Sequence, residues 1–163
     1  MASYAPRRYP ATSSVGRWLT VGFIAGGLAV LVFHQGALAM LHAMGIAPNA
    51  AFSMKATAPW GIPQVASLAF WGGLWGIAFA ALSRNWDGPR LVAAATAFGA
   101  MAPTLVAWFI AAPLKGQPMA AGLVPAAMMV GLIVNAAWGL GTGIGLNLFG
   151  RPHARGLRMH DRG

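Results

Sequence analysis

Four long apolar runs without a charged side chain are the feature that most constrains the fold of this chain. The first run, residues 19–44, contains no lysine, arginine or carboxylate. A membrane-spanning helix needs about 20 predominantly apolar residues, and this run exceeds that length. Three further runs follow at residues 65–82, 91–114 and 119–149. The sequence therefore predicts an all-α integral membrane protein with four transmembrane helices packed as two helical hairpins.

These runs divide the chain into three regions. Residues 1–18 form a basic N-terminal segment, residues 19–149 form the membrane domain, and residues 150–163 form a basic tail. Within the membrane domain, residues 45–64 are called the long loop here. This loop contains three prolines but also several large apolar side chains. Unstructured loops of this length are uncommon in compact domains, so we expect an ordered cap over the ends of the helices.

The basic residues indicate how the helices cross the membrane. The chain has 11 lysines and arginines, and nine of them fall before the first run, between the second and third, or after the fourth. Lys55 and Lys115 fall in the other two connections. Because lysine and arginine in short loops stay on the cytoplasmic side, we expect both termini in the cytoplasm. The nine are Arg7, Arg8, Arg17, Arg84, Arg90, Arg151, Arg155, Arg158 and Arg162.

The composition also excludes several kinds of chemistry. With no cysteine, the chain has no disulfide, thiolate metal site or cysteine nucleophile. Asp87 and Asp161 are its only carboxylates, so a catalytic set of base, nucleophile and orienting group is missing and we expect no enzymatic activity. The net charge of +9 is spread along the flanks of the spans, which favours contact with anionic lipid headgroups over binding of nucleic acid. A cleavable signal peptide ending near residues 37–39 is a competing interpretation, but the apolar run is longer than the usual signal core.

Small residues at four-residue spacing mark the surfaces where these helices should pack. In lipid, the close approach of two backbones depends on such residues. Asn135 stands within the longest of these rows, so we expect its amide to bond to a neighbouring helix. If the chain is an accessory subunit, we expect a different protein to cover this row. The packing residues are Gly22 and Gly26, Gly72 and Gly76, and Gly131, Gly139 and Gly143.

His34 and Gln35 are the most informative polar residues, because they fall near the middle of the first run. An ionisable side chain at this depth is costly and raises a functional hypothesis by default. Together with Asn135, they form the candidate intramembrane polar site. A regular helix would place Gln35 on one stripe with Leu28 and His42, about 100° from His34. The expected partners of the His34 ring are Asn135, Thr142, Thr104 or a backbone carbonyl freed by Pro103.

Several functions are compatible with these residues. The leading interpretation is a non-enzymatic structural, assembly or accessory component that packs against another membrane protein or against a second copy of itself. The first alternative is a small-solute or proton pathway in a homo-oligomer lined by His34, Gln35 and Asn135. The second alternative is a tetrapyrrole-binding subunit with His34 as an axial ligand. A copper site is disfavoured because Met40 and His42 would lie on opposite faces of the helix, and no cofactor is assigned.

Two stretches resemble a known group of proteins. Residues 33–39 read FHQGALA and residues 63–73 read PQVASLAFWGG. This pattern resembles small bacterial inner-membrane proteins with four helices and no assigned function, and it covers the first hairpin better than the second. The resemblance implies a bacterial inner-membrane location, which agrees with the distribution of arginine. It implies no activity and no role for any residue.

Overall fold

A computed structural model describes residues 12–150 of the chain, and these residues form a helical bundle with one small hairpin of strands. The predicted basic segment before residue 12 and the tail after residue 150 lie outside the described residues, and so do Arg7, Arg8 and the four arginines of the tail. The α-helices are α1 (Thr12–Ala29), α2 (Gln35–Ala43), α3 (Gln64–Leu82), α4 (Gly88–Val106), α5 (Ala112–Leu114) and α6 (Pro125–Phe149). The other elements are π-helical turns at Val30–His34 and Ala107–Ala111, strands β1 (Ala56–Thr57) and β2 (Ile62–Pro63), and a 3₁₀ segment at Met119–Leu123.

Four helical segments are long and apolar enough to cross a membrane. We call them the first to fourth membrane segments. The first combines α1, a π-helical turn and α2 into one continuous helix, and the third combines α4, the second π-helical turn and α5. By length and composition, the chain therefore has the helices of a multi-pass membrane protein. The segments are Val15–Ala43, Gln64–Leu82, Gly88–Leu114 and Pro125–Phe149.

The start of the fourth membrane segment differs from the sequence prediction. A span beginning at residue 119 is wrong, because the helix begins only at Pro125. The residues just before it, Ala120 to Leu123, all have positive φ angles between 48° and 68°, so this stretch is a left-handed turn. A right-handed helix cannot continue through such a conformation. Pro125 then restarts the chain in the first helical turn, where its missing N–H costs no hydrogen bond.

The helices are arranged so that α1 and α6 hold the bundle together. The α1 helix packs against α3 on one side and against α6 on the other, and α6 also packs against α4. The α3 and α4 helices meet mainly through aromatic rings. The ring of Phe98 lies 5.8 Å from that of Trp75 and 5.3 Å from that of Phe79, measured between centroids. This fourth side of the bundle is therefore held by side chains and not by close backbone contact.

The buried core extends along the bundle in three layers. At the end where α1 begins, Trp18, Phe79, Leu91 and Leu146 pack together. Ala29, Val30 and Trp138 form the middle layer. At the opposite end, Leu41 and Val134 pack against Ala47, which belongs to the long loop. The long loop thus contributes a buried side chain to the core of the helical bundle.

The long loop is ordered along its length. Strands β1 and β2 pair antiparallel, and the hydroxyl of Thr57 donates a hydrogen bond of 2.8 Å to the carbonyl of Ile62. The pairing continues to the start of α3, because the N–H of Gln64 donates to the carbonyl of Lys55 at 2.9 Å and that of Val65 to Ser53 at 3.1 Å. The loop therefore leads directly into the second membrane segment.

Candidate functional site

The π-helical turn Val30–His34 determines which side chains of the first membrane segment enter the bundle. In a π-helical turn the hydrogen bond spans one more residue than in an α-helix, so the faces of the helix shift after it. Gln35, the next residue, is 2% exposed, whereas Leu28 before the turn is 56% exposed. The predicted common stripe is therefore wrong for Leu28 and Gln35, which lie on either side of the turn. His42 follows Gln35 by seven residues within the same α-helix and is exposed at the far end of α2. The extra residue in the turn directs the Gln35 side chain inward.

Gln35 joins the first membrane segment to the long loop. Its side-chain oxygen Oε1 accepts a hydrogen bond of 2.6 Å from the backbone N–H of Phe52. Phe52 has a φ of 55°, a conformation that non-glycine residues adopt rarely. A buried side-chain amide is costly unless its polar atoms are bonded, so this contact stabilises both Gln35 and the strained backbone of the loop. We call it the Gln35–Phe52 contact.

His34 faces Gln35 and not the other helices. Nε2 of the Gln35 amide lies 3.3 Å from Nδ1 of His34, and because an amide NH₂ donates, the imidazole accepts at Nδ1. The predicted partners of His34 are wrong, since Thr104 accepts from Asn135 and Thr142 donates to the carbonyl of its own helix. The His34 side chain is half-buried. Its hydrogen bond is thus local to one turn of the helix.

His42 has the opposite arrangement of its ring. Nδ1 of His42 lies 2.8 Å from the carbonyl oxygen of Ala47, so this nitrogen donates. The bond connects the end of α2 to the long loop at Ala47. The Gln35–Phe52 contact reaches the loop five residues further along the chain, from the buried side chain of Gln35. Two side chains of the first membrane segment therefore fix the loop at separate points.

Asn135 bonds to a different helix. Its Nδ2 donates a hydrogen bond of 2.8 Å to the hydroxyl of Thr104 on α4, and Thr104 is 1% exposed. The hydrogen bonds of Asn135 and Gln35 share no partner among the described residues. The three residues predicted as one polar site thus form two groups, His34 with Gln35 near the long loop and Asn135 with Thr104 between α4 and α6.

A third buried hydrogen bond was not singled out from the sequence. Nε1 of Trp138 donates a bond of 2.9 Å to the carbonyl of Gly26 and thereby connects α6 to α1. Trp18 makes a similar bond of 2.6 Å to the carbonyl of Ala80 on α3. A tryptophan whose ring is buried usually finds a partner for its N–H. The sequence feature that could have predicted these contacts is the presence of tryptophans beside glycine-rich helix faces.

The glycines of the first hairpin lie where α1 and α3 cross. Gly22 and Gly26 on α1 face Gly76 and Gly72 on α3, respectively. A Cβ atom built on Gly22 would lie 2.7 Å from the carbonyl oxygen of Gly76, and atoms built on the other three would approach the opposite helix as closely. Only glycine permits this separation of the two backbones. The crossing is therefore a contact of backbone against backbone.

The glycine row on α6 is covered by the same chain. A Cβ atom on Gly143 would lie 2.8 Å from Cβ of Ala95 on α4, and one on Gly139 would collide with the backbone carbonyl of Ala95. Gly131 is packed more loosely, since its Cβ would lie 3.3 Å from Nε1 of Trp108. The expectation that a different protein meets this row is wrong, because α4 and the turn after it already occupy it.

Metal binding has little support within residues 12–150. No group of three or more histidine, aspartate or glutamate side chains in this part of the chain could hold a metal ion. Met40 and Met44 are both more than half exposed, and His42 uses Nδ1 for its bond to the loop. The amide of Gln35 lies beside Nδ1 of His34, so Nε2 is the ring nitrogen that would remain to bind a pigment.

Comparison of the chain with protein-family models, with curated proteins and with solved structures finds no match. The resemblance of residues 33–39 and 63–73 to small bacterial inner-membrane proteins therefore stays a prediction.

Proposed function

We propose that this chain is a non-enzymatic structural or accessory component of a bacterial inner membrane, and that its long loop contacts another membrane protein. The observation that carries the proposal is the attachment of this loop. Gln35 and His42 bond to it at two points, and Ala47 is buried against Leu41 and Val134. A loop fixed in this way presents a defined surface, because its backbone does not have to be ordered when a partner binds.

The surface of the long loop is strongly apolar. Trp60 is 82% exposed and Met54 is 70% exposed, and Phe52 and Ile62 are also exposed. Aromatic residues and methionine are enriched in the centres of protein interfaces, and an exposed patch of this kind marks an interaction site. At the membrane surface these side chains can meet either lipid or a neighbouring protein. The fixed backbone favours the protein, since lipid contact requires no defined loop conformation.

The interior of the bundle supports a packing role. Gln35 bonds to the long loop, Asn135 to α4 and Trp138 to α1, so these polar groups are used to hold the chain together. The close contacts of glycines between α1 and α3 and between α4 and α6 support two helical hairpins. An interior of this kind suits a rigid component whose outer faces contact lipid and other helices.

The proposal includes an orientation with both termini in the cytoplasm. Arg17, Arg84 and Arg90 lie at the end of the bundle where α1 begins, and Lys55 and Lys115 lie in the connections at the opposite end. Because the chain has no cysteine, single cysteines report position cleanly. With a membrane-impermeant thiol reagent on intact cells, we expect labelling of Ser53→Cys and no labelling of Asp87→Cys. The reverse pattern would contradict the orientation.

The partner contact is tested in nanodiscs formed directly from the native membrane without prior detergent. Native mass spectrometry should show a complex of fixed stoichiometry with another membrane protein. We expect the double variant Met54→Ser, Trp60→Ser to lose this complex. The matched control is Leu114→Ser, Met119→Ser, which removes exposed apolar side chains from the other connection at the same end of the bundle and should keep the complex.

The other two functions give different results in the same experiment. A homo-oligomer without another protein would favour the solute or proton pathway lined by His34, Gln35 and Asn135. An additional mass corresponding to a pigment, lost in His34→Gln, would favour tetrapyrrole binding. A monomer with no associated protein, or equal complex formation by the loop variant and its control, would contradict the proposed role of the long loop.

A further inference from the structure

An apolar groove runs along the lipid-facing side of the seam between α1 and α6. It has a volume of about 330 Å³. Gly141 and Gly145 form part of its floor, and they allow α1 to approach α6 closely, since a Cβ atom on Gly145 would lie 2.7 Å from Cβ of Ala25. The residues of its walls include Ile24, Leu28, Val32, Ile144, Leu148 and Phe149.

The length of this groove matches one leaflet of a bilayer. On the first membrane segment it extends from Val21 to Val32, which at a rise of 1.5 Å per residue corresponds to about 16 Å along the helix. One half of the hydrocarbon core of a bilayer is about 15 Å thick. Ile24 and Leu28 are each more than half exposed along this path, so residues 12–150 leave the groove open. One acyl chain could therefore lie along it from the membrane surface to the bilayer centre.

Arg17 stands at the membrane-surface end of the groove. It precedes Val21 by one helical turn, so the two side chains lie on the same face of α1. One guanidinium nitrogen of Arg17 donates a hydrogen bond of 3.2 Å to the carbonyl of Phe149, a residue of the groove wall. A guanidinium group has five N–H donors, so this bond positions Arg17 at the groove and leaves donors for a second acceptor. Arg17 is exposed.

The positive charge at this end of the bundle indicates which kind of lipid headgroup would bind. Arg84 and Arg90 lie at the same end as Arg17, and Asp87 is the one carboxylate within residues 12–150. The net charge of the chain is +9. Arginine recognises phosphate with parallel N–H donors, and basic residues at a membrane surface attract anionic lipid. A headgroup with a net negative charge therefore complements this site better than a zwitterionic one.

We propose that this groove is a binding site for one anionic phospholipid, with an acyl chain along the seam of α1 and α6 and the phosphate on Arg17. The lipid lies along the outer side of the seam, where it contacts side chains of both the first membrane segment and α6, and so it extends the contact between the two. This site does not depend on the partner proposed for the long loop, because the two lie at opposite ends of the bundle.

The test uses the full-length protein in mild detergent with equal amounts of phosphatidylglycerol and phosphatidylcholine, and native mass spectrometry counts the lipids retained. We expect one phosphatidylglycerol to be retained in preference to phosphatidylcholine. Arg17→Gln should reduce this preference roughly fivefold, the effect of one basic residue at an anionic membrane surface. Arg84→Gln removes the same charge at the same end of the bundle but does not line the groove, and it should keep the preference.

A second variant tests the role of the groove without changing the charge at Arg17. Leu28→Trp fills the groove from an exposed position, so the bundle should fold normally while retention of phosphatidylglycerol falls. If Arg17→Gln does not insert into the membrane, this variant alone decides the matter. Equal retention by wild type and Leu28→Trp would overturn the proposal. So would equal preference in wild type and Arg17→Gln, or a dimer that dissociates in Leu28→Trp, which would make the groove a contact between two copies of the chain.

Discussion

Two pairs of helices, α1 with α3 and α4 with α6, correspond to the two predicted hairpins, and both pairs cross on similarly spaced small residues. The two crossings differ in the contacts that accompany them. In the first hairpin, glycine faces glycine, as Gly26 does with Gly72, and the backbones touch. In the second hairpin, the backbone of Gly99 meets that of Gly139, and one turn away Asn135 adds a hydrogen bond to Thr104. Close packing in lipid can thus be reached by removing side chains alone or by combining small residues with one polar pair.

A short sequence echo relates the second helices of the two hairpins. Residues 72–77 align with residues 135–140 so that Trp75 matches Trp138 and Gly72 matches Asn135. In the structure both tryptophans reach into the other hairpin, since Trp138 bonds to Gly26 and Trp75 contacts Phe98. Asn135 thus stands where the first hairpin has a glycine. Both pairs of helices therefore have close backbone contact, and the pair of α4 and α6 adds the hydrogen bond of Asn135 to Thr104.

The largest effect is expected where the backbones touch. Gly76→Ala places a methyl group against the backbone of Gly22, so α1 and α3 must separate, at a cost on the order of 1 to 3 kcal/mol. Gly36→Ala is the matched control, because nothing lies within 4 Å of a Cβ atom at this helical position. It should stabilise the protein by up to about 1 kcal/mol through helix propensity. Unfolding in mixed detergent micelles measures both, and equal effects would contradict the close crossing.

The next effect concerns the buried amides of the two hairpins. Gln35→Leu leaves the N–H of Phe52 without its acceptor and should cost about 1 to 3 kcal/mol. Asn135→Leu should cost less, about 0.6 kcal/mol, because the freed hydroxyl of Thr104 can bond to a carbonyl of its own helix. The same unfolding measurement compares them. A larger loss for Asn135→Leu would show that the contact of α4 and α6 depends more on its buried amide than the long loop depends on Gln35.

The smallest effect is expected for the conservative variant of His34. His34→Gln keeps a hydrogen-bonding group beside Gln35 and should be nearly silent, whereas His34→Leu should cost up to about 1 kcal/mol, since the ring is only half-buried. Membrane abundance and retention of the partner complex are measured for both. If glutamine fails as badly as leucine, His34 has a role that requires an imidazole, as in a proton pathway or pigment site.

The number of membrane segments follows from the sequence because it depends on long runs without charge, a property of composition. The start of the fourth segment does not, since the left-handed turn before Pro125 consists largely of alanine and leucine, which give no signal for positive φ. The inward position of Gln35 depends on the π-helical turn before it, and nothing in the residues of Val30–His34 distinguishes that turn from an α-helix.

The spacing of glycines also predicts only part of the helix packing. It indicates which face of a helix can pack closely, but it does not indicate which helix will meet that face. From the sequence, either another helix of this chain or a partner protein could pack against the row of Gly139 and Gly143. Only the structure shows that α4 does so. The contact of Gln35 with Phe52 is also not predictable, because it joins a helix to a loop whose path the sequence does not define.

The most direct test of this account is hydrogen exchange at the amide of Phe52 in the membrane-embedded protein. If the long loop is fixed to the first membrane segment, this amide donates to Gln35 and should exchange as slowly as amides within the helices. In Gln35→Leu the same amide should exchange much faster, while the amides of α4 and α6 remain protected. Rapid exchange at Phe52 in the wild type, or the same rate in both proteins, would contradict the fixed loop and the interaction surface proposed from it.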